Sequence, residues 1–341
     1  MELYRDQQFV VRNFRVGDVE AHAANRNEPS TAEFQSWSLP YPIEKAEESI
    51  ARFIEMDKPT DGESFGYVIA DATNDAFMGD LAVHLEWGGR AAEIGFSLTP
   101  ESRGRGIATS AARFIVQHLF DKVGVKRIHA SLHPENVASM MVLERLGFIY
   151  EGTPRQSYWV DDVCTDDPQF GLLRSDWDAW NARTRTRPTT VELQAVTNLN
   201  RDDVFRIESH RSQLRFISPM ANLAANALAP DFDDNGGRLV PWLRAIVADG
   251  IVVGFVMVAE QTSTFPHPML WRLLIDRQHQ RRGIGWKTLD LLTHHFRSQG
   301  CEQFLVSWVP GRSSPEPMYL RYGFVPTGEM DDEELVASLT L

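Results

Sequence analysis

The chain has 341 residues, 43% of them hydrophobic and 24% charged, and a formal net charge of −13. That length suits two domains of ordinary size, and that apolar content can bury real cores. The acidic balance disfavours nucleic acid or anionic lipid as the main partner, and no run of about 18 apolar residues offers a membrane span.

The opening "MELYRDQQFVVRNF" has neither the basic start nor the apolar stretch of a signal peptide. Cys164 and Cys301 stand far apart without ligand spacing, so reduced thiols, a cytoplasmic location and no metal site are expected. In chain order, "FGYVIAD", "FMGDLAVHLEW" and "AAEIGFSLTP" are rich in β-branched and aromatic residues and predict successive strands. The basic loop "SRGRGIATSAARF" (102–114) follows, running into a helix on which Ile107, Ala111, Phe114, Ile115 and Leu119 keep helical spacing. A strand "RIHASL" and a helix ending in "LGF" come next.

"WNARTRTRPTTVELQAV" then passes through Arg, Thr and Pro into a new alternating strand. It predicts a linker at 183–189 between domains 1–182 and 190–341. Beyond it the pattern returns. "RAIVADGIVVGFVMVAE" predicts a two-residue hairpin at Asp249-Gly250, and "MLWRLLID" a strand. A second loop and helix, "HQRRGIGWKTLDLL" (279–292), carry Ile284, Leu289, Leu292 and Phe296, before the strand "QFLVSW" and a helix ending in "YGF". Ser131, Pro134, Gly147, Phe148 and Gly152 reappear 176 positions later as Ser307, Pro310, Gly323, Phe324 and Gly328. Gly106 matches Gly283 at 177 and Gly79 matches Gly254 at 175, an ordered series that indicates duplication. The order of elements predicts an α/β (α+β) chain of mixed sheets with helices packed on them.

A glycine-rich turn between strand and helix exposes amides without intrahelical partners at the positive end of the helix dipole, a ready site for phosphate. Arg103, Arg105, Arg281 and Arg282 add charge where a diphosphate would sit. Neither the Walker A spacing nor GxGxxG is present.

Arg103-x-x-Gly106-x-Ala108 and Gln280-x-x-Gly283-x-Gly285 resemble the (Q/R)xxGx(G/A) acyl-CoA loop of the GNAT N-acetyltransferases. The first half is similar to the RimJ/RimL-like branch through "AAEIGFSLTPESRGRGIATSAARF" and "HPENVASMMVLERLGFIYEG". The second is similar to the diamine/polyamine (spermidine-type) branch through "FISPMANLAANAL", "LWRLLIDRQHQRRGIGWKTLDLL" and "YLRYGFVPTGE". This resemblance implies two GNAT domains, each a central, mostly antiparallel sheet with flanking helices. In each, a V-shaped strand splay ("GFSL"/"ASLH" and "RLLI"/"VSWV") admits the pantetheine arm. It implies acetyl-CoA as cofactor. The first-half contacts would be Leu98, Arg103, Gly104, Arg105, Gly106, Ile107, Ala108, Thr109, Asn136 and Ser139. Those of the second would be Ile275, Gln280, Arg281, Arg282, Gly283, Ile284, Gly285, Lys287 and Tyr319.

Acetyl transfer to an amine needs a proton acceptor, donors for the developing oxyanion and a proton for the departing sulfur. By resemblance Tyr319 protonates the sulfur in the second half, where the first has Leu143. Ser139 could contact the sulfur and Asn136 the cofactor arm, although "PENVAS" reads equally well as a helix cap. Glu93, on a strand near the core, is the candidate base of the first half. Aligning the loops sets Leu270 opposite it, leaving Glu208, Glu260 or water for the second. Trp37 and Tyr41 of "FQSWSLPYP", with Tyr158 and Trp159, are candidates for the acceptor wall or for aromatic core. The acidic run Glu329 to Glu334 reads as a solvated hairpin turn, and His294-His295 as helix surface and flank. The expected function is acetyl transfer to a primary amine of a small cationic molecule, by a monomeric pseudo-dimer or a homodimer. The alternatives are one active half beside an inert acyl-CoA-binding half, or acetylation of a protein N-terminus.

Overall fold

Strand-forming runs that alternate in burial lie edge to edge before any helix is needed to cover them. The structure is a computed structural model that describes residues 1–35, 37–160, 162–217, 228–230, 236–311 and 313–341. Its chain divides into two units, Met1–Ala182 and Arg183–Leu341.

The first unit begins with β1 (Glu2–Arg5), β2 (Phe9–Asn13), α1 (Val19–Asn27), α2 (Pro29–Ala32) and α3 (Ile43–Met56). The meander β3 (Ser64–Asp71), β4 (Phe77–Glu86) and β5 (Ala91–Leu98) leads into α4 (Ile107–His118), β6 (Arg127–Ser131) and α5 (Val137–Leu146). β7 (Ile149–Gly152), the hairpin β8 (Tyr158–Val160) and β9 (Val163–Thr165), β10 (Gln169–Leu173) and α6 (Arg174–Ala182) complete it. Among the described residues, eight strands join in the order β1-β2-β3-β4-β5-β6-β10-β7, antiparallel except at β5–β6. Val83, Ile94 and Ile128 on one face share a core with Ala111 and Ile115 of α4 and Leu146 of α5. Val10 and Val68, pointing the other way, pack with Ile50 of α3.

The second unit repeats this plan with fewer strands. It runs β11 (Val191–Ala195), α7 (Arg201–Phe205), β12 (Pro241–Ala248), β13 (Ile251–Ala259) and β14 (Met269–Ile275). Then come α8 (Ile284–Ser298), β15 (Gln303–Trp308), α9 (Glu316–Tyr322), β16 (Val325–Asp331) and β17 (Glu334–Thr340). The sheet order is β11-β12-β13-β14-β15-β17-β16, again with a single parallel neighbour pair, β14–β15. Asp249 and Gly250 take positive φ (48° and 82°) in the expected hairpin turn.

The two parallel pairs are short. β5 and β6 meet only at Ala91↔Arg127, Ala92↔Ile128 and Glu93↔His129, after which β5 runs on to Leu98 without β6 beside it. β14 and β15 meet only at Met269↔Leu305 and Leu270↔Val306. The splay expected on both sides is therefore present. One alignment changes, however. β13 and β14 pair Met257 with Arg272 but Val258 with Leu270, so Trp271 is an extra, bulged residue. The β4–β5 ladder runs from Gly79↔Leu98 to Glu86↔Ala91 without such a break. Rung by rung, the counterpart of Glu93 is Met269, not Leu270.

The repeated glycines Gly79 and Gly254 have one reason in common. A Cβ on Gly79 would lie 2.2 Å from the Ser97 carbonyl oxygen, and one on Gly254 2.5 Å from that of Leu274. Gly254→Ala must push two backbones apart, and a loss of about 1–3 kcal/mol is expected, read from the urea unfolding midpoint.

Candidate active site

Each splay leads to a loop and a helix N-terminus, and the first loop residue ties the loop back to its strand. Arg103 donates through Nε to the Leu98 carbonyl (3.2 Å) and through its terminal nitrogens to Ser30 Oγ (2.9 Å) and Thr31 Oγ1 (2.5 Å). Gln280 repeats this, donating to the Ile275 carbonyl (3.0 Å) and to Gln213 Oε1 (2.8 Å). Gly104 and Gly106 sit at φ 74° and 81°, and Arg281 and Gly283 at 64° and 79°. Gly106 and Gly283 cap α4 and α8 without any side-chain hydrogen bond, which leaves the first-turn amides open to a ligand. A Cβ on Gly104 or Gly106 would meet nothing within 4 Å, so the backbone faces open space as a phosphate cradle requires.

The arginines divide. Arg105 and Arg281 are exposed. Arg282, only 6% exposed, donates to the Thr186 carbonyl (2.9 Å) and lies 2.9 Å from His279 Nδ1. Ile107 and Ile284 are buried and anchor their helices, whereas Ala108, Thr109 and Gly285 are half-buried in the first turn. Lys287 is exposed, 4.0 Å from Asp290.

At the vertex of the first splay Glu93 stands between His84 on β4 and His129 on β6. His129 Nε2 lies 3.1 Å from Glu86 Oε2, and His84 Nδ1 lies 3.2 Å from Ser64 Oγ. Glu93 itself has no hydrogen-bond partner among the described residues. Burial pushes its carboxyl above the usual carboxylate range, with Glu86 and Asp167 adding and His129 and His84 opposing. One rung further, Ala82 is exposed and Gly95 half-buried, so the face beside Glu93 is open.

The next rung closes it with a buried polar network that the sequence did not announce. Asp80 accepts from Ser97 Oγ (3.1 Å) and Arg26 (3.3 Å) and lies 3.1 Å from His22 Nδ1, while Asn25 donates to Ser97 (3.1 Å). Burial pushes the Asp80 carboxyl up, but Arg26, His22 and Ser97 outweigh it and hold it below its ordinary range. The only hint was an acid between apolar residues in "FMGDLAVHL". Arg26 lies over the Trp37 ring at 4.0 Å, and Trp37 is 6.4 Å from Tyr41. Tyr158 donates to the Phe34 carbonyl (3.1 Å), so it reaches the Trp37 segment, whereas Trp159 is 59% exposed. Asn136 Oδ1 accepts from the Ser139 amide (3.0 Å) as a helix cap, and Leu143 is buried.

The second unit is different. Counted along its ladder, Met269 and Leu305 replace Glu93 and His129, and Ala259 replaces His84, while the last parallel rung is Leu270↔Val306, also apolar. The network rung becomes Phe255 and Leu274, both buried in an apolar cluster. Tyr319, 5% exposed, packs against Trp308 (centroids 5.6 Å) and Phe324 (5.7 Å). Burial pushes its hydroxyl well above the usual range, helped by Glu334 and opposed by Arg272. Glu334 is not part of a fully solvated turn, since its carboxylate accepts from Ser307 Oγ. Glu208 pairs with Arg277 (3.6 Å), Glu260 acts on Arg244 and His295, and His295 stacks on Trp242 at 4.8 Å. Among the described residues no His, Cys, Asp or Glu group is placed to hold a metal, and no helix is long and apolar enough to cross a membrane.

Two sequence profiles match the chain, "Acetyltransferase (GNAT) domain" at residues 8–149 and "Acetyltransferase (GNAT) family" at 196–324. The chain belongs to the GNAT family, in two copies. Its chemistry is that of an N-acetyltransferase. It is similar to "Uncharacterized N-acetyltransferase YnaD" of Bacillus subtilis, 26% identical over 39% of this chain and 76% of that protein. It is also similar to the spermine/spermidine N(1)-acetyltransferase of Bacillus subtilis, 24% identical over 42% of this chain and 92% of that one. Among solved structures it resembles spermidine N-acetyltransferase from Vibrio cholerae in complex with CoA and spermine. There the identity is 18% and the TM-score 0.45, over 50% of this chain and 99% of that one. Most of the "FISPMANLAANAL" segment, 218–227, lies outside the described residues.

The two GNAT loops differ at one strained residue, since Arg281 takes the left-handed conformation that Gly104 takes in the first. Arg281→Gly should relieve up to about 1 kcal/mol of strain, read as a higher thermal midpoint.

Proposed function

We propose that the chain is an acetyl-CoA-dependent N-acetyltransferase whose first unit acetylates a primary amine on a small cationic molecule. The observation that carries this is Glu93, an unpartnered, half-buried carboxylate on the last rung before the strands part. Both loops fit the cofactor's phosphates, through amides at an uncapped helix start and open backbone at Gly104 and Gly106. Bound there, acetyl-CoA supplies an activated acetyl thioester. Glu93 accepts the proton of the incoming ammonium, and its raised pKa brings it nearer to the amine it must deprotonate. Arg26, held by Asp80, with Trp37 and Tyr41 packed beside it, would supply the acceptor wall. Glu93 and Glu86 make the inner end acidic, which favours a cation.

Leu143 offers no proton, and by resemblance Ser139, one turn earlier on α5, is the residue that would contact the sulfur. The second unit has the opposite set: Tyr319 keeps its proton at neutral pH, but Met269 and Leu305 provide no base. That apolar vertex supports a second reading, in which the second unit binds acyl-CoA without turning it over.

Turnover by the full chain with spermidine, an aminoglycoside and an unblocked tripeptide tests the first reading. The rate should rise with pH as Glu93 loses its proton, on a limb displaced above the ordinary Glu value of about 4.3. Glu93→Gln should abolish that limb and lower kcat about 10²–10⁴-fold. Activity retained in Glu93→Gln would remove it as the base. Calorimetry of acetyl-CoA with wild type, Gly106→Trp and Gly283→Trp should show two sites, each lost separately. Sites that survive both substitutions would end the reading of the loops.

A further inference from the structure

Arg272 occupies the rung that Gly95 occupies in the first unit, paired with Met257 as Gly95 is with Ala82. It is therefore a cation at the place where the first unit keeps its face open for the acceptor. Two rungs away on either side the pairs are apolar, Met269 with Ala259 and Leu274 with Phe255. Arg272 donates through one terminal nitrogen to the Trp271 carbonyl (2.7 Å), while its Nε is buried without a partner. No carboxylate among the described residues forms an ion pair with it; Glu334, which accepts from Ser307 Oγ, acts with Arg272 on the Tyr319 hydroxyl only through its field.

A second orphan stands across the splay. Trp308, two residues past the last β14–β15 rung, is 2% exposed and its Nε1 has no hydrogen-bond partner among the described residues. A buried donor left without a partner costs stability, which a ligand acceptor would recover. Arg272 lies on β14 where that strand runs on beyond its last rung with β15, Leu270↔Val306, so a ligand entering the splay would meet its guanidinium.

We propose that the splay of the second unit takes a carboxylate-bearing ligand, with Arg272 as the residue that selects it. This rests on the reading of the second loop as an acyl-CoA site. The carboxylate has two possible sources, the acyl chain of a dicarboxylic thioester or an amino-acid acceptor. Either differs from the polyamine that the sequence of this half suggests, because Arg272 repels a cation.

Calorimetry on the full chain separates the sources. Succinyl-CoA is compared with butyryl-CoA and, with CoA present, L-glutamate with 1,4-diaminobutane. In at least one pair the carboxylate should bind 10-fold or more tighter in wild type. Arg272→Met should erase that preference and Arg272→Lys retain part of it. Arg272→Met should also raise the ligand-free thermal midpoint, since an unpaired cation is replaced by an apolar chain of similar length. A merely structural arginine would lower it. Equal binding in both pairs, or a preference that survives Arg272→Met, overturns the proposal. If Gly283→Trp removes no acetyl-CoA site, the loop reading fails and takes this inference with it. If a site is lost but Arg272→Met changes nothing, only the carboxylate inference falls.

Discussion

Everything in each unit depends on one short parallel pairing inside an otherwise antiparallel sheet. A parallel neighbour requires a crossover, and α4 and α8 are those crossovers. The pair holds for two or three rungs and then opens, because the first strand runs on toward its loop while the second turns away. Opening a sheet leaves backbone groups without ladder partners, a cost that persists only where something else supplies them. In the proposed reading the same opening would set the acyl-CoA arm between two strands, with its phosphates at the helix start. Cleft, loop and helix are consequences of a single interruption in a ladder.

The chemistry then depends on which residues the rungs carry to the vertex. In the first unit three alternate rungs, on one face, place Asp80 with Ser97, Ala82 with Gly95 and His84 with Glu93. These are a polar network, an open stretch and a half-buried carboxylate, the base of the proposed reaction. In the second the same rungs carry Phe255 with Leu274, Met257 with Arg272 and Ala259 with Met269. The position of Tyr319 follows the opposite rule, since the first unit has Leu143 there. In the proposed reaction each half would therefore hold a group that its sister lacks.

Much of the fold was legible because it rests on local signals. Asp249-Gly250 between apolar runs admits few turns other than the one observed, and the glycines of both loops mark the positive-φ positions that their helices start from. What stayed hidden depends on register. Trp271 looks like any strand residue, yet it shifts every earlier rung of β14 by one and sets Met269, not Leu270, on the rung that matches Glu93. Arg103 and Gln280 read as phosphate ligands by position, but their side chains brace the loop against its own strand. Asp80, Arg26 and Ser97 lie far apart in sequence and meet only through packing. Pattern finds where a strand is, whereas a site depends on what stands beside it.

This contrast explains why the duplication remains visible where it does. A phosphate cradle is made of backbone amides, so its side chains can drift so long as φ stays positive at two positions. Arg281 in place of Gly104 shows how far that tolerance extends. Gly79 and Gly254 persist for a harder reason, since a neighbouring carbonyl occupies the space a Cβ would need. The vertex has neither protection. Its residues contribute side-chain chemistry, and once a second copy exists each can change without disturbing ladder or loop. Backbone constraint keeps the two halves alike as folds, and its absence at one rung lets them differ as sites.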